Sequence, residues 1–300
     1  MASTMQLGIS LEPPRWPSSA GGMVLQTALR AEQLGLHYVL MSDHVLTSAN
    51  GSGLDSMTLL SAIAGATSKI RLATSILVLP YRHPVAVAGQ AATLDIVSGG
   101  RFSLGVGTGW NAKEFAALGL DVRQRGARTD EYLAVLRALW SGEPVDFAGR
   151  FTTLSKAEPA IAPRTKGGPA IWVGGSSDAA LRRALRFGDG WHGSAADEAA
   201  VRDVRSRLAV LGEELDRDPE QLKLSSVCFL VPPGFETNGP LPGSLLGGPA
   251  ASTQQLLDAL GRLGAAGLSM VSLWMPLDPH QLSDALGWVA TELLPDLRVI

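Results

Sequence analysis

The chain has 300 residues, 46% of them hydrophobic and 18% charged, with a formal net charge of −3. This composition is typical of a globular protein with a large core, and no basic stripe of the kind that binds nucleic acid stands out. A lone cysteine, Cys228, excludes an intrachain disulfide framework and a multi-cysteine metal site. No apolar run reaches the roughly 18 residues of a membrane span, and the first residues lack an export signal. We therefore expect a cytoplasmic protein with no membrane or nucleic-acid partner.

Short apolar, strand-like runs alternate with helical periods along the whole chain. The predicted strands are Gln6–Leu11, His37–Ser42, Ile70–Leu79, Arg101–Val106, Ala170–Gly174, Gly190–Gly193, Leu222–Val231 and Leu268–Trp274. The predicted helices are Gly22–Gly35, Leu54–Thr67, Pro84–Ile96, Arg128–Trp140, Asp178–Phe187, Asp197–Leu215, one opening at the capping-box pattern Ser252–Gln255 and one opening at Asp278. Because strict alternation implies parallel strands and eight units favour closure, we expect an α/β fold: a (β/α)8 TIM barrel with insertions, formed by residues 1–300 as a single domain.

Two segments interrupt this alternation. Residues 141–168 contain extended runs around Val145–Phe147 and Phe151–Leu154, which predict a small hairpin inserted before the fifth strand. Residues 232–250 are rich in glycine and proline and follow the seventh strand. A loop in that place lies on the catalytic face of a barrel, where it is either a lid or a passive loop.

Two strands run directly into glycine-rich turns. The strand Arg101–Val106 ends in Gly107-Thr108-Gly109-Trp110, and the strand Ala170–Gly174 ends in Gly174-Gly175-Ser176. Glycine lets a backbone come within contact distance of a ligand, because no Cβ intervenes. The second turn also opens a helix, whose free amides and positive end suit a phosphate, although a serine there is equally an ordinary N-cap. Together the two turns predict a cofactor site.

A histidine stands at the end of the second strand, in Ser42-Asp43-His44. At a strand end of a barrel such a residue can exchange protons near neutral pH, and a neighbouring carboxylate can orient it or raise its pKa. The other possibility is a histidine hydrogen-bonded into its loop. His192, at the end of the sixth strand, is the second candidate. No histidine and glutamate have metal-ligand spacing, so we expect no bound metal.

Tryptophans also gather at predicted strand ends and in the adjoining loops. They are Trp16, Trp110, Trp191 and Trp274. Aromatic side chains at these places can wall a pocket for a planar ring, although tryptophan more commonly packs into a core. We expect these four residues and His192 to line the substrate pocket.

Several of these segments match a known family in order. The chain resembles the bacterial luciferase-like oxidoreductase superfamily, in particular its deazaflavin-dependent branch. The matching segments are Ala31-Glu32-Gln33-Leu34-Gly35, Ser42-Asp43-His44, Ile70–Pro80, Thr93–Arg101, Gly105–Trp110, Val173-Gly174-Gly175 and Gly188-Asp189-Gly190-Trp191. The last third of the chain matches only in its alternation of strands and helices.

The resemblance implies a usually dimeric barrel that binds FMN or a deazaflavin (coenzyme F-420) at the carboxyl ends of its strands. In the family a non-proline cis peptide lies behind the flavin ring, and Ser75-Ile76 matches its position. Asp43 and His44 match residues beside the reactive face of the ring. Thr108 and Gly109 match contacts to the ring or the ribityl chain. The phosphate site is matched by Gly174, Gly175 and Ser176.

One position departs from the family pattern. Deazaflavin-dependent sugar-phosphate dehydrogenases of the superfamily carry a glutamate directly after the Gly-Thr-Gly turn, where this chain has Trp110. We therefore expect no sugar-phosphate substrate and no acid–base mechanism with two residues. The function expected is a coenzyme F-420-dependent oxidoreductase in which His44 is the catalytic proton donor or acceptor for a small apolar or aromatic substrate, and the resemblance implies a homodimer. The alternatives are a monooxygenase that uses reduced FMN and, from another class, a flavin-binding protein without turnover.

Overall fold

The computed structural model describes residues 5–11, 21–46, 54–237 and 244–297. The strands are β1 (Gln6–Ser10), β2 (Tyr38–Met41), β3 (Arg71–Thr74), β4 (Leu77–Val78), β5 (Phe102–Gly107), β6 (Val145–Ala148), β7 (Thr153–Ala157), β8 (Ala170–Gly174), β9 (Gly190–Ser194), β10 (Lys223–Phe229) and β11 (Leu268–Trp274). The helices are α1 (Gly21–Gln33), α2 (Ser56–Ala66), α3 (Pro84–Val97), α4 (Ala112–Ala117), α5 (Arg125–Leu139), α6 (Asp178–Phe187), α7 (Glu198–Leu215), α8 (Thr253–Ala266), α9 (Leu282–Glu292) and α10 (Leu294–Leu297). Short 3₁₀ helices lie at Leu79–Tyr81, Val122–Gln124 and Pro219–Gln221.

The strands close into a parallel barrel, as the alternation predicts. Their order is β3-β2-β1-β11-β10-β9-β8-β5-β4, and β3 also pairs with β5, which closes the ring. The strands β3 and β4 together form one predicted strand, so the barrel is eight-stranded when they are counted as one. A separate antiparallel pair, β6 and β7, is the hairpin expected within residues 141–168.

Two apolar clusters fill the molecule. The larger lies between the sheet and the helices, where residues such as Leu72, Leu136 and Leu260 have no exposed surface. The smaller lies inside the barrel and consists of Tyr38, Leu40, Ala73, Trp172 and Met270. Side chains of successive residues alternate between the two sides of a strand, so β2, β3, β8 and β11 contribute to both clusters. The interior cluster fills the barrel, and the candidate active site described below lies next to this cluster.

Several boundaries differ from those predicted. The short helix α4 was not expected, and α5 begins at Arg125 instead of Arg128. The last long helix begins at Leu282 because Asp278–Gln281 first form a turn, in which the Gln281 side chain accepts a hydrogen bond from the Asp278 amide at 3.2 Å. The capping box of Ser252 and Gln255 is present at the start of α8.

The loop after β10 is described only in part, since residues 238–243 lie outside the described ranges. Its return limb runs beside β10, with a parallel bridge between Phe229 and Leu245. A lid function for this loop stays a prediction. Among the helices of the described ranges, none combines the length and the apolar character that a membrane crossing requires.

Candidate active site

A buried carboxylate holds the ring of His44 at the end of β2. Glu114, on the short helix α4, is 1% exposed, and its Oε1 lies 3.2 Å from Nδ1 of His44. The same carboxylate accepts hydrogen bonds from the amides of Val45 at 2.9 Å and Leu46 at 3.1 Å, and from the Tyr81 hydroxyl at 2.9 Å. The loop that carries His44 is thus fixed by a residue 70 positions further along the chain.

These contacts define the charge of Glu114. Burial acts to raise its pKa, but the hydrogen bonds from the Leu46 amide and the Tyr81 hydroxyl, the nearby His44 and the Val45 amide outweigh it, so the pKa of Glu114 is lowered. Tyr81 shows the reverse effect, since burial and the bond to the carboxylate raise the pKa of its hydroxyl. Glu114 is therefore an anion, and Tyr81 is a neutral donor.

The arrangement also fixes which nitrogen of His44 carries a proton. An ionised carboxylate only accepts hydrogen bonds, so Nδ1 of His44 donates to Glu114 and carries a proton. The opposite nitrogen, Nε2, is left to exchange a proton with a ligand. His44 is 23% exposed, and the indole of Trp110 stands edge-on to its ring with 6.2 Å between the ring centroids.

The preceding residue, Asp43, is held by a second ion pair. Nη2 of Arg82 lies 2.8 Å from Oδ1 of Asp43, and Oδ2 binds Nη1 of Arg82 and the Val78 amide. Arg82 also reaches Asp55, the N-cap of α2, at 3.0 Å. Burial acts to lower the pKa of Arg82, but its bonds to the two aspartates raise it overall. The Arg82 guanidinium thus binds one carboxylate at each end of the loop between β2 and α2. The expected position of Asp43 beside a flavin or deazaflavin ring stays a prediction.

The peptide bond between Ser75 and Ile76 is cis, at the position that the resemblance implies. It separates β3 from β4, and the Ile76 side chain turns towards β5 and β8. A Cβ added to Gly107 would lie 1.9 Å from Cδ1 of Ile76, and one added to Gly174 would lie 2.7 Å from it. A Cβ on Gly105 would lie 2.0 Å from the Thr74 carbonyl oxygen. A side chain at any of these three positions would collide with Ile76 or with the Thr74 carbonyl, so the neighbouring backbone and side chain already require glycine there. The sequence analysis had explained the glycines by the close approach of a ligand.

The turn after β8 is open to solvent. Gly175 and Ser176 are exposed, and Gly175 has a φ of +108°. Ser177 caps α6 by accepting a hydrogen bond from the Ala180 amide at 3.3 Å, which leaves Ser176 outside the cap. The indole of Trp191 donates to the Gly175 carbonyl at 2.8 Å and supports the turn from below.

The predicted pocket aromatics divide into two groups. Trp110 is 67% exposed beside His44, and Trp274 is half-buried at the end of β11, edge-on to Phe229. Trp191 and His192 are buried, with 2% and 4% of their surfaces exposed, so the structure does not bring them to the surface of the mouth. Trp16 lies outside the described residues. Thr108 and Gly109 follow β5 and are partly exposed, as a ligand contact requires.

The sequence analysis did not identify Glu114, Tyr81 or Arg82. One signal was present: Asn111 and Glu114 have the spacing of a helix start, and Asn111 does cap α4. The carboxylate that orients His44 is Glu114, because the adjacent Asp43 is bound to Arg82. The missing glutamate at position 110 therefore does not leave His44 without an acidic partner.

A histidine with a fixed tautomer at the carboxyl ends of the strands of a parallel barrel can exchange a proton with a ligand bound there. Residues 5–232 match the family model for the luciferase-like monooxygenases. The chain belongs to this family, whose members are oxidoreductases and monooxygenases dependent on a flavin or a deazaflavin. No group of metal-ligating side chains occurs within the described ranges.

Individual relatives use either cofactor. The chain is 32% identical over 211 residues to a coenzyme F-420-dependent hydroxymycolic acid dehydrogenase of Mycobacterium tuberculosis, covering 68% of this chain and 57% of that protein. It is 32% identical over 194 residues to an FMNH(2)-dependent dimethylsulfone monooxygenase of Pseudomonas putida, covering 61% and 52%. The match thus spans little more than half the length of these relatives.

A coenzyme F-420-dependent secondary alcohol dehydrogenase, solved with an F-420–acetone adduct, has the same fold. Its TM-score is 0.82 with 21% identity, over 98% of this chain and 99% of that chain.

Proposed function

We propose that this protein is a coenzyme F-420-dependent oxidoreductase that moves a hydride to or from a small apolar or aromatic substrate, with His44 as proton donor or acceptor. The observation that carries the proposal is the His44–Glu114 pair, which leaves Nε2 of His44 for proton exchange at the barrel mouth. The similarity to dehydrogenases that use coenzyme F-420 favours this cofactor.

The residues at the mouth fit a deazaflavin. Ile76 lies in the space left by three glycines and presents a smooth apolar floor for a planar ring, beside the Ser75 hydroxyl. Thr108 and Gly109 directly follow Gly107 at the end of β5, and the Gly174–Ser176 turn, exposed at Gly175 and Ser176, has amides for a phosphate at the start of α6. Arg182 and Arg183 of this helix are paired with Glu214 and Asp130, so the turn's backbone provides the main attraction. When bound, the deazaflavin supplies a carbon centre that accepts or donates a hydride.

The proton is handled by the chain itself. In the oxidation of an alcohol, Nε2 of His44 takes the hydroxyl proton while the hydride leaves the carbon, so a ketone or aldehyde forms. The anionic Glu114 stabilises the imidazolium that results, because it accepts a hydrogen bond from the Nδ1–H group. In the reduction of a carbonyl, the same nitrogen returns the proton to the oxygen.

The surroundings of His44 favour an apolar substrate. Val45, Leu46 and Trp110 are 40%, 42% and 67% exposed. The carboxylates closest in sequence and space, Asp43 and Glu114, are buried and bound by donors. A sugar phosphate would meet no free cation from these residues, whereas an alkyl or aromatic group would bury apolar surface against Trp110.

The second candidate function is that of a monooxygenase dependent on reduced FMN. The similarity to the dimethylsulfone monooxygenase favours it. In that case His44 would serve an oxygenation step on the same face of the ring. A binding protein without turnover is disfavoured, because such a protein has no need of the buried network that orients His44.

Equilibrium binding of each cofactor to the purified protein tests the proposal. We expect coenzyme F-420 to bind at least about tenfold more tightly than FMN, a difference of about 1.4 kcal/mol. Tighter binding of FMN, with oxygen consumption on reduction, would overturn the assignment in favour of the monooxygenase. Turnover is then measured as loss of deazaflavin absorbance with a panel of alkyl and benzylic alcohols.

His44→Phe tests the role of the histidine. Removal of a general acid–base group lowers turnover by at least ~100-fold, whereas cofactor affinity should change by less than about twofold. His280→Phe is the matched control, since His280 is exposed in the loop before α9 and should leave both quantities unchanged. Full turnover of His44→Phe would exclude His44 as the catalytic residue.

We further propose that the protein is a homodimer formed through α2 and α3. The helix α2 contains no charged residue, and the one charged residue of α3, Asp95, is fully buried. The solvent side of the pair carries small uncharged residues such as Ala62 and Ala86. A helix that faces water in a monomer normally presents charge on that side.

Sedimentation analysis of Ala62→Arg tests this interface. The variant should be a monomer, because an unpaired charge is buried at the contact. Ala209→Arg, on the exposed side of α7, is the control and should sediment as the native protein does. A monomeric native protein, or a dimeric Ala62→Arg variant, would show that this face is not the interface.

A further inference from the structure

Ser75, His192 and Ser225 form a hydrogen-bonded column of side chains that runs from Ser75 into the barrel. The Ser75 hydroxyl lies 2.9 Å from Nε2 of His192, and Nδ1 of the same ring lies 2.8 Å from the Ser225 hydroxyl. Ser225 also bonds to the Trp191 carbonyl at 3.1 Å. Ser75 is partly exposed at the mouth, whereas His192 and Ser225 are buried. The column therefore connects the barrel interior to the surface on which the cofactor is proposed to lie.

The end of the column fixes the direction of every hydrogen bond in it. A carbonyl oxygen only accepts, so the single proton of the Ser225 hydroxyl is donated to Trp191. The Ser225 oxygen must then accept from His192, which places the proton of the neutral ring on Nδ1. With Nδ1 protonated, Nε2 has a free lone pair and accepts from Ser75. The Ser75 hydroxyl has consequently used its one proton inside the barrel.

The surroundings keep His192 neutral. Its ring stacks on Trp172, with 5.8 Å between centroids and 26° between planes, above the apolar cluster of Tyr38, Leu40, Ala73 and Met270. Burial lowers the pKa of His192 to about 4. The doubly protonated ring, which could not accept from Ser75, is thus absent near neutral pH.

We infer that His192 is a positioning residue that makes the Ser75 hydroxyl a hydrogen-bond acceptor towards the barrel mouth. A ligand atom that reaches Ser75 must then be a donor, such as the ring N–H of the pyrimidinedione that flavins and deazaflavins share. A ligand with an acceptor at that point leaves two unpaired polar atoms, which disfavours its binding. The inference rests on the proposed function, since it assigns His192 and Ser75 a part in binding the cofactor.

Two substitutions of His192 distinguish its hydrogen bond to Ser75 from its hydrogen bond to Ser225. His192→Gln places an amide oxygen near the position of Nε2 and can still accept from Ser75. His192→Asn places its amide nitrogen near the position of Nδ1, so it keeps the bond to Ser225 and loses the one to Ser75. We expect His192→Asn to weaken binding of coenzyme F-420 by about tenfold and to shift the visible absorption of the bound cofactor, whereas His192→Gln stays within about threefold of the native protein.

Ser75→Ala completes a double-mutant cycle. It should weaken binding about as much as His192→Asn, and the double variant should be no weaker than Ser75→Ala alone. Equal losses in His192→Gln and His192→Asn, or additive losses in the double variant, would overturn the inference. Thermal unfolding of each apoprotein identifies any variant that has lost its fold, and Ser75→Ala, at a partly exposed position, provides the reference.

A measurement without cofactor keeps this inference separate from the proposed function. ¹⁵N NMR of histidine-labelled apoprotein near neutral pH should show His192, identified by its absence in His192→Gln, as the neutral form protonated on Nδ1. A ring protonated on Nε2 would refute the hydrogen-bond directions. If the native protein binds FMN instead of coenzyme F-420, the proposed function fails, while the cycle can still be measured with FMN.

Discussion

The two sides of the barrel mouth are built by different means. On the β2 side, buried carboxylates fix the chain: Asp43 is bound by Arg82, and Glu114 binds His44 and two amides of its loop. On the β8 side, the exposed turn at Gly175 is shaped by its positive φ and by one bond from Trp191. The β2 side holds a side chain that must keep one direction, whereas the β8 side offers backbone amides.

The difference matches the roles proposed for the two sides. Proton transfer requires that a heavy atom be held within hydrogen-bond distance of the reacting group, which a network of side chains can ensure. An anionic group needs several donors but tolerates small displacements, so an open turn at a helix start is sufficient. We therefore expect substitutions on the β2 side to affect turnover and stability, and substitutions on the β8 side to affect cofactor affinity.

The largest effect is expected for Glu114→Ala. It leaves the Val45 and Leu46 amides and the Tyr81 hydroxyl without their acceptor, so the free energy of unfolding should fall by about 3 kcal/mol. Turnover should fall by about 100-fold because the ring of His44 is no longer held. Denaturant unfolding measures the change in stability, and steady-state kinetics measures the change in turnover. Glu131→Ala is the control, since Glu131 likewise accepts from backbone amides, at Arg150 and Phe151, but in the hairpin. Unchanged kcat in Glu114→Ala would contradict the role of this network.

The next effect is expected for Arg82→Met. It leaves the buried Asp43 without its cation, which should cost about 3 kcal/mol of stability. Turnover should fall by about tenfold, less than for Glu114→Ala, because Arg82 reaches His44 only through the neighbouring residue. Arg123→Met is the control, since Arg123 pairs with Asp121 on an exposed surface. A variant as stable as the native protein would show that Asp43 is held by the Val78 amide alone.

A smaller effect is expected for Gly175→Ala on the β8 side. Alanine at a φ of +108° is strained, and its Cβ would lie 3.1 Å from that of Ala180. Cofactor affinity should fall by about fivefold with kcat retained at saturation, because the turn is proposed to bind the cofactor without taking part in the reaction. Gly142→Ala has comparable strain, at a φ of +83° with no atom near the added Cβ, and should leave affinity unchanged. A change in kcat alone would contradict the division between the two sides.

The smallest effect is expected in the pH dependence of stability. The pKa of Glu114 is lower in the folded protein than its ordinary value of 4.5, so its charge stabilises the fold above that value. The advantage of the native protein over Glu114→Gln should be constant near neutral pH and should shrink as the pH falls from about 4.5 through the lower pKa of Glu114 in the folded protein. Unfolding curves of both proteins across the acid range provide the measurement. A difference that grew towards low pH would show that the carboxylate is not favoured as an anion.

The barrel could be predicted from the sequence because each of its strands and helices has a local pattern of apolar residues. Apolar runs such as Leu268–Trp274 and helical periods such as that of α5 are visible without knowledge of their neighbours. The position of His44 also followed from local information, since the end of a barrel strand is where reacting groups stand. The match of Ser75-Ile76 to the cis peptide came from the resemblance to the family.

The partners of these residues could not be found in the same way. Glu114 and His44 are 70 positions apart, and α4 is too short to show a helical period. The glycines of β5 show a related limit: their spacing suggested a ligand, but a second reason for two of them, the nearby Thr74 carbonyl and Ile76 side chain, lay outside the local pattern. Local patterns indicate where a chain turns; which distant group occupies the space is decided by the closure of the barrel.

The fit of Ile76 against Gly105, Gly107 and Gly174 has a consequence for protein engineering. The height of the floor is set by one side chain, and the glycines only leave room for it. Shortening residue 76 to valine or alanine would deepen the mouth without touching the network around His44. The same change would permit alanine at position 107 or 174, so residue 76 and these glycines should vary together in size among related chains. The depth at which the proposed cofactor ring sits can thus be tuned independently of the hydrogen bonds that hold His44.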